Sequence, residues 1–136
     1  MSQGYDFIGR HFIANYVGCD AKALTDHEAL LKVLAQAATA GGATVMQTSS
    51  QAFEGGGLTA VLVLCESHAS IHTYPERAAC FIDFFTCGLN CDPERFHEVL
   101  HKYLTPVYSS SKILLRDAGI SEVGFPSQIL NMSPIS

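Results

Sequence analysis

The sequence has few charged residues: Asp, Glu, Lys and Arg make up 15% of its 136 residues, whereas 48% are hydrophobic. Charged residues average about 25% of a soluble domain. Such a shortfall is typical of a protein whose surface is partly covered by another subunit, so we expect an oligomer. The length predicts a single domain over residues 1–136.

Features that mark several other protein classes are missing. The eight Lys and Arg residues are scattered and the formal net charge is −5, which argues against a nucleic-acid partner because such a partner requires a clustered positive surface. No apolar run approaches the roughly 18 residues of a membrane span, so no membrane partner is expected. Polar and charged residues are spread through the segment 1–10, unlike a secretory signal.

The cysteines form no CxxC pair, which argues against a zinc knuckle or a thioredoxin motif. An odd number of cysteines without a signal peptide is typical of free thiols in a reducing compartment. We therefore expect a cytoplasmic protein with five free thiols, namely Cys19, Cys65, Cys80, Cys87 and Cys91.

Hydrophobic periodicity predicts the element order β-α-β-β-β-β-α-β. A capping box from Thr25 to Glu28 begins the first helix after a connector at 19–22, and Asp92-Pro93 begins the second. Strands are expected at 7–16, 43–53, 58–65, 69–74, 80–86 and 107–116, with a loop at 54–57, a helix end at 41–42 and a tail at 127–136.

Helices near both ends of a run of strands predict an α+β fold. We expect a two-layer sandwich, in which the helices cover one face of an antiparallel sheet. The other face of the sheet would need a partner, which points to a homodimer formed through the sheet region.

Reactive side chains are concentrated in ESHASIHTYPE, residues 66–76, which follows an apolar strand and precedes FTCG at 85–88. Polar groups next to a buried strand are costly unless they are hydrogen-bonded or functional. No GxSxG surrounds Ser67, although a triad of Ser67, His72 and Asp83 stays open beside purely structural roles. His68 and His72 have no evident third ligand, so no metal is predicted, and for His68 we favour a structural role.

These two motifs resemble the signature of the bacterial S-adenosylmethionine decarboxylases, which are pyruvoyl-dependent proenzymes of the short prokaryotic type. The spacing of Ser67, His72 and Cys87 matches that signature. Weaker similarity runs from Gly9 through the first helix to Phe53, and the resemblance covers about the first hundred residues.

The resemblance implies self-cleavage between Glu66 and Ser67. Ser67 would attack the carbonyl of Glu66, and elimination and hydrolysis would leave a pyruvoyl group where Ser67 was, without pyridoxal phosphate or a metal. The products would be a β chain of residues 1–66 and an α chain of residues 67–136.

The same resemblance assigns roles to further side chains. His72 would be the base of the elimination step, and Thr59 stands where relatives carry a helper serine. The pyruvoyl ketone would form a Schiff base with the substrate amine and draw electrons as carbon dioxide leaves. Cys87 would then protonate carbon, which suits a thiol because an unperturbed thiol is mostly protonated at pH 7.

The resemblance also implies the substrate, S-adenosylmethionine, which is a small cationic amino acid. Phe53 would stack on its adenine and Glu76 would hold its ribose hydroxyls. Both protomers would contribute residues to each site. The implied product is S-adenosylmethioninamine, the aminopropyl donor for spermidine synthesis. The glycine-rich loop 54–57 departs from the family pattern. It therefore keeps open a pyruvoyl-dependent decarboxylase of ornithine or arginine. A second alternative, independent of the loop, is an uncleaved, non-catalytic binding or regulatory protein.

Overall fold

The computed structural model describes residues 7–124. Within that range, seven strands form one antiparallel sheet in the order β2-β3-β4-β5-β1-β6-β7. The strands are β1 (Gly9–Val17), β2 (Val45–Ala52), β3 (Leu58–Leu64), β4 (Ser67–Tyr74), β5 (Ala79–Cys87), β6 (Tyr108–Arg116) and β7 (Ile120–Val123). The helices are α1 (Ala21–Thr25), α2 (His27–Ala40) and α3 (Pro93–Leu104), and a short 3₁₀ turn spans Pro75–Arg77.

The helices cover one face of the sheet, which confirms the predicted α+β two-layer sandwich. Burial alternates along the strands because successive side chains point to opposite faces. In β3, Ala60 and Leu62 are fully buried whereas Val63 between Leu62 and Leu64 is exposed. The layers meet where Phe84 of the sheet stacks on Phe96 of α3, with ring centroids 4.2 Å apart.

Helix capping explains where the helices begin. α3 starts as predicted at Pro93, and the Asp92 carboxylate caps it by accepting the N–H of Glu94. The predicted capping box is wrong by one residue, because Asp26 caps α2 by accepting the N–H of Ala29. Thr25 is instead the last residue of α1 and donates to the carbonyl of Ala21. We did not predict this helix, and its first two residues fall in the predicted connector at 19–22.

The segment after β6 also differs from the prediction. Asp117 and Gly119 form a tight turn in which the Asp117 carboxylate accepts the N–H of Gly119 at 2.8 Å. The chain then returns as β7, all four residues of which are exposed. A fully exposed edge strand has no hydrophobic alternation, so the pattern could not reveal it. The tail predicted at 127–136 lies outside the described residues.

The face of the sheet that points away from the helices carries several exposed apolar side chains. We call it the open face. Five large hydrophobic residues on it are between 37% and 48% exposed: Ile13, Val17, Val63, Tyr74 and Phe81. An apolar surface of this kind is characteristic of a protein–protein contact.

Between residues 7 and 124, none of the helices combines the length and apolar content needed to cross a membrane.

Candidate active site

A tight turn at one end of the sheet carries the predicted cleavage point. Leu64 of β3 pairs with Ser67 of β4, so Cys65 and Glu66 form a two-residue connection between them. Ser67 has a φ of +152°, a value that residues with a side chain rarely adopt. Conformations of this kind cost about 1–3 kcal/mol each and tend to occur at functional sites. Strain is therefore stored next to the Glu66–Ser67 peptide bond.

The carbonyl of that peptide bond is already held by a hydrogen-bond donor. The backbone N–H of Cys87 donates to the carbonyl oxygen of Glu66 at 2.9 Å. A backbone N–H in this position polarises the carbonyl and would stabilise negative charge developing on its oxygen. The Glu66 side chain is held as well, since its carboxylate accepts the N–H of Thr44 at 3.0 Å.

The side chains of Ser67 and Cys87 meet at this end of the sheet. The β4–β5 register pairs Ser67 with Thr86, which puts Cys87 one residue further along, and the Ser67 Oγ lies 3.5 Å from the Cys87 Sγ. A cleft of about 660 Å³ opens beside them, lined by residues that include Phe7, Glu66, Phe85, Cys87 and Arg116. We call Glu66, Ser67 and Cys87 the cleavage half-site.

A second group of predicted residues lies at the opposite end of β3 and β4. Thr59 and His72 pair across the two strands, and the Thr59 Oγ1 is 3.2 Å from the His72 Nδ1. Phe53 follows β2 and Glu76 lies in the 3₁₀ turn after β4, and both are exposed. We call Phe53, Thr59, His72 and Glu76 the recognition half-site.

The glycine-rich loop next to Phe53 is a closed turn. The N–H of Phe53 donates to the carbonyl of Gly57 at 2.9 Å, and the N–H of Gly56 donates back to the carbonyl of Phe53 at 3.2 Å. Gly55 and Gly56 have φ values of +92° and +95°, which glycine adopts without strain. His27 of α2 also contacts the carbonyl of Gly56 at 2.8 Å, so the loop is tied to the helix layer.

The two half-sites are separate within one chain. Ser67 and His72 lie five positions apart on the continuous strand β4, and a strand advances about 3.3 Å per residue, which gives about 16 Å between them. The Ser67–His72–Asp83 triad does not form in one chain, because Asp83 binds other partners. The triad hypothesis is therefore wrong for a single protomer.

Asp83 is the centre of a polar network on the open face that the sequence did not reveal. Its carboxylate contacts the Nε2 of His11 at 2.7 Å and the Nε2 of His68 at 3.3 Å, and it accepts a hydrogen bond from Ser70. Burial raises the pKa of Asp83, but the hydrogen bonds from His11 and Ser70 and the nearby histidines outweigh it, so the net pKa is lowered. His68 is thus part of a hydrogen-bonded network, which agrees with the structural role that we favoured for it.

The ligand atoms of His11, His68 and Asp83 lie within 4.8 Å of one another, close enough in principle to hold a metal ion. The surroundings of His11 argue against that use. Arg116 donates to the Nδ1 of His11 at 3.3 Å, so the ring proton of a neutral His11 is on Nε2, the atom that would have to bind the metal. The arrangement fits a hydrogen-bonded network better than a metal centre.

Comparisons with known proteins show which family the chain resembles. The sequence model of the S-adenosylmethionine decarboxylase family matches residues 10–117. The S-adenosylmethionine decarboxylase proenzyme of Brevibacillus brevis is 38% identical over 126 residues, which cover 93% of this chain and 95% of that protein. The proenzyme of the same name from Methanococcus maripaludis is 40% identical over 99 residues, covering 73% and 81% of the two chains.

A solved structure is similar as well. The crystal structure of the adenosylmethionine decarboxylase from Aquifex aeolicus superimposes with a TM-score of 0.74 at 28% sequence identity, covering 88% of this chain and 98% of that one. Sequence and fold thus agree over most of both chains. The chain belongs to the S-adenosylmethionine decarboxylase family.

Proposed function

We propose that this protein cleaves itself between Glu66 and Ser67 and then decarboxylates S-adenosylmethionine with the pyruvoyl group that the cleavage creates. The observation that carries the proposal is the strained Glu66–Ser67 turn, whose carbonyl oxygen accepts the N–H of Cys87 at 2.9 Å. The family assignment and the names of the relatives support the substrate.

Self-cleavage would begin with attack of the Ser67 Oγ on the Glu66 carbonyl. A new C–O bond replaces the C–N bond, and the Cys87 N–H stabilises the charge that develops on the carbonyl oxygen. Formation of the ester would release the strain at Ser67. A base then removes the α-proton of Ser67, the Cβ–O bond breaks, and Glu66 leaves with the electron pair as a carboxylate. Water converts the remaining residue to the pyruvoyl group and releases ammonia.

The base for this elimination would be His72. When its Nδ1–H donates to the Oγ1 of Thr59, the lone pair on Nε2 is free to accept a proton. About 16 Å of strand separates His72 from Ser67 in the same chain. We therefore infer that His72 acts on Ser67 of a second copy.

A homodimer formed through the open faces would combine the half-sites. In a two-fold arrangement the same surface of each protomer meets its counterpart. With the strands running in opposite directions, the recognition half-site of one protomer would face the cleavage half-site of the other. The exposed apolar side chains on the open face support this interface.

In the decarboxylation itself, the pyruvoyl group would supply the electron sink for loss of carbon dioxide. Cys87 would protonate carbon afterwards, and the 3.5 Å between its Sγ and the Ser67 Oγ supports this role. Phe53 and Glu76 of the recognition half-site would bind the adenine ring and the ribose hydroxyls. We place the enzyme in the cytoplasm, since none of its five cysteines forms a disulfide.

The intact mass of the purified protein under denaturing and reducing conditions tests the proposal. We expect two chains, residues 1–66 and 67–136, with a pyruvoyl mass on the second, and a single uncleaved chain for Ser67→Ala. Release of labelled carbon dioxide from S-adenosylmethionine, compared with ornithine and arginine, then tests the substrate. An intact wild-type chain that binds S-adenosylmethionine without releasing carbon dioxide would overturn the proposal in favour of a binding protein.

A further inference from the structure

Arg10 is a partly buried cation close to the predicted cleavage point. Its position in β1 is opposite Thr86 of β5, which in turn is opposite Ser67 of β4. Its Nη2 donates to the carbonyls of Leu89, at 3.1 Å, and Cys91. Its Nε is buried and, among residues 7–124, has no hydrogen-bond partner. An unpaired N–H on a buried guanidinium is costly, so this group calls for an explanation.

Glu66 and Arg10 have opposite effects on the pKa of the Cys91 thiol. Burial raises the pKa of the Cys91 thiol, the negative charge of Glu66 raises it further, and the positive charge of Arg10 lowers it in part. Arg10 also bonds directly to the Cys91 carbonyl, and the Glu66 side chain accepts the N–H of Thr44. No charged group within the described part of the chain forms an ion pair with Arg10 within 4 Å.

Cleavage changes the charge at this point of the molecule. Before cleavage, Glu66 carries one carboxylate, on its side chain, and its carbonyl is neutral. After elimination, that carbonyl has become a second carboxylate on the same residue. Arg10 lies in line with Ser67 across the intervening strand β5. A carboxylate that reaches a partly buried guanidinium forms a strong charge-assisted hydrogen bond, because the two groups match in planar geometry.

We propose that Arg10 is the counter-ion of the carboxylate that Glu66 acquires, and that it stabilises this leaving group as the Cβ–O bond of Ser67 breaks. The inference rests on the self-cleavage proposed above. In the elimination, the base takes the α-proton, the Cα–H electrons form the new double bond, and the Cβ–O electrons pass to the departing carboxylate. Arg10 neutralises that charge and then holds the C-terminus of the β chain in the mature protein.

The test is the Arg10→Gln variant, followed by the time course of cleavage and by treatment with hydroxylamine. Hydroxylamine cleaves the ester between Glu66 and Ser67 and leaves a serine, instead of a pyruvoyl group, at the start of the α chain. Loss of the counter-ion should slow cleavage by about 10- to 100-fold. The uncleaved chain that accumulates should be the ester and should therefore be sensitive to hydroxylamine.

A structural role for Arg10 gives a different result. If Arg10 only anchored the loop through Leu89 and Cys91, its loss would disturb the turn before the ester forms, and the accumulating chain would resist hydroxylamine. That outcome, or cleavage at the wild-type rate, overturns the inference. An uncleaved wild-type chain would instead overturn the self-cleavage itself. Arg10→Lys keeps the charge and should accumulate less ester than Arg10→Gln.

A measurement without substitution at Arg10 covers the case in which Arg10→Gln does not fold. The Nε–H resonance of Arg10 can be compared by nuclear magnetic resonance between the cleaved wild-type protein and the uncleaved Ser67→Ala variant. We expect the resonance to shift on cleavage, because a charged acceptor has appeared beside it. An unchanged resonance would contradict the inference.

Discussion

Removing the hydrogen bond between Thr59 and His72 tests whether this pair takes part in self-cleavage. Thr59→Val keeps the β-branched shape, which suits a strand, and removes only the hydroxyl that lies 3.2 Å from the His72 Nδ1. A neutral hydrogen bond of this kind contributes about 1 kcal/mol, and one to a charged group about 1.5–3 kcal/mol. The second range applies when His72 has accepted the proton. We therefore expect self-cleavage to slow by about 5- to 100-fold.

The assay follows the fraction of uncleaved chain with time after synthesis, by intact mass or by gel. Thr59→Ser is the matched control, because it keeps the hydroxyl and loses only a methyl group, and it should mature within a few-fold of the wild type. His72→Ala should remain uncleaved. If Thr59→Val matured at the wild-type rate while His72→Ala stayed intact, the hydroxyl would have no part in orienting the base.

Three further predictions follow from the geometry. Co-expression of His72→Ala with Ser67→Ala should restore cleavage of the His72→Ala chain, since the partner supplies the base; the absence of cleaved chain in the mixed dimers would contradict action across the interface. Cys87→Ala should reduce turnover far more than substrate affinity, measured as kcat against Kd, and unchanged turnover would remove Cys87 from the mechanism. Burial and the charge of His101 lower the pKa of His97 to about 4, below the roughly 6.5 of the unfolded state. The unfolded chain then binds more protons as the pH falls from about 6.5 to 4, so the free energy of unfolding should drop by up to about 3 kcal/mol over that window, and this drop should disappear in His97→Asn.

Much of the fold could be predicted from local patterns. Alternation along β3 and the apolar positions of α2 and α3 indicated which faces are buried, and the structure places the helices on that side of the sheet. The predicted helix boundaries were wrong where two local signals compete. Asp20 and Asp26 each cap a helix, and a five-residue helix between them is too short to show a period.

The sequence by itself determined which chemical groups are present and where each lies along its strand. It placed Ser67 just after a buried strand and His72 within the strand predicted at 69–74. Only the structure showed that this strand begins at Ser67, so that extended backbone holds the two residues apart. The tertiary structure alone decided which groups meet. Thr59 meets His72 because the two-residue turn fixes the register of β3 and β4. Cys87 meets Ser67, and Arg10 lies in line with Thr86 and Ser67, because β1, β5 and β4 pair in one register among several. That register depends on the packing of the whole sheet against the helices, and no local stretch of sequence encodes it.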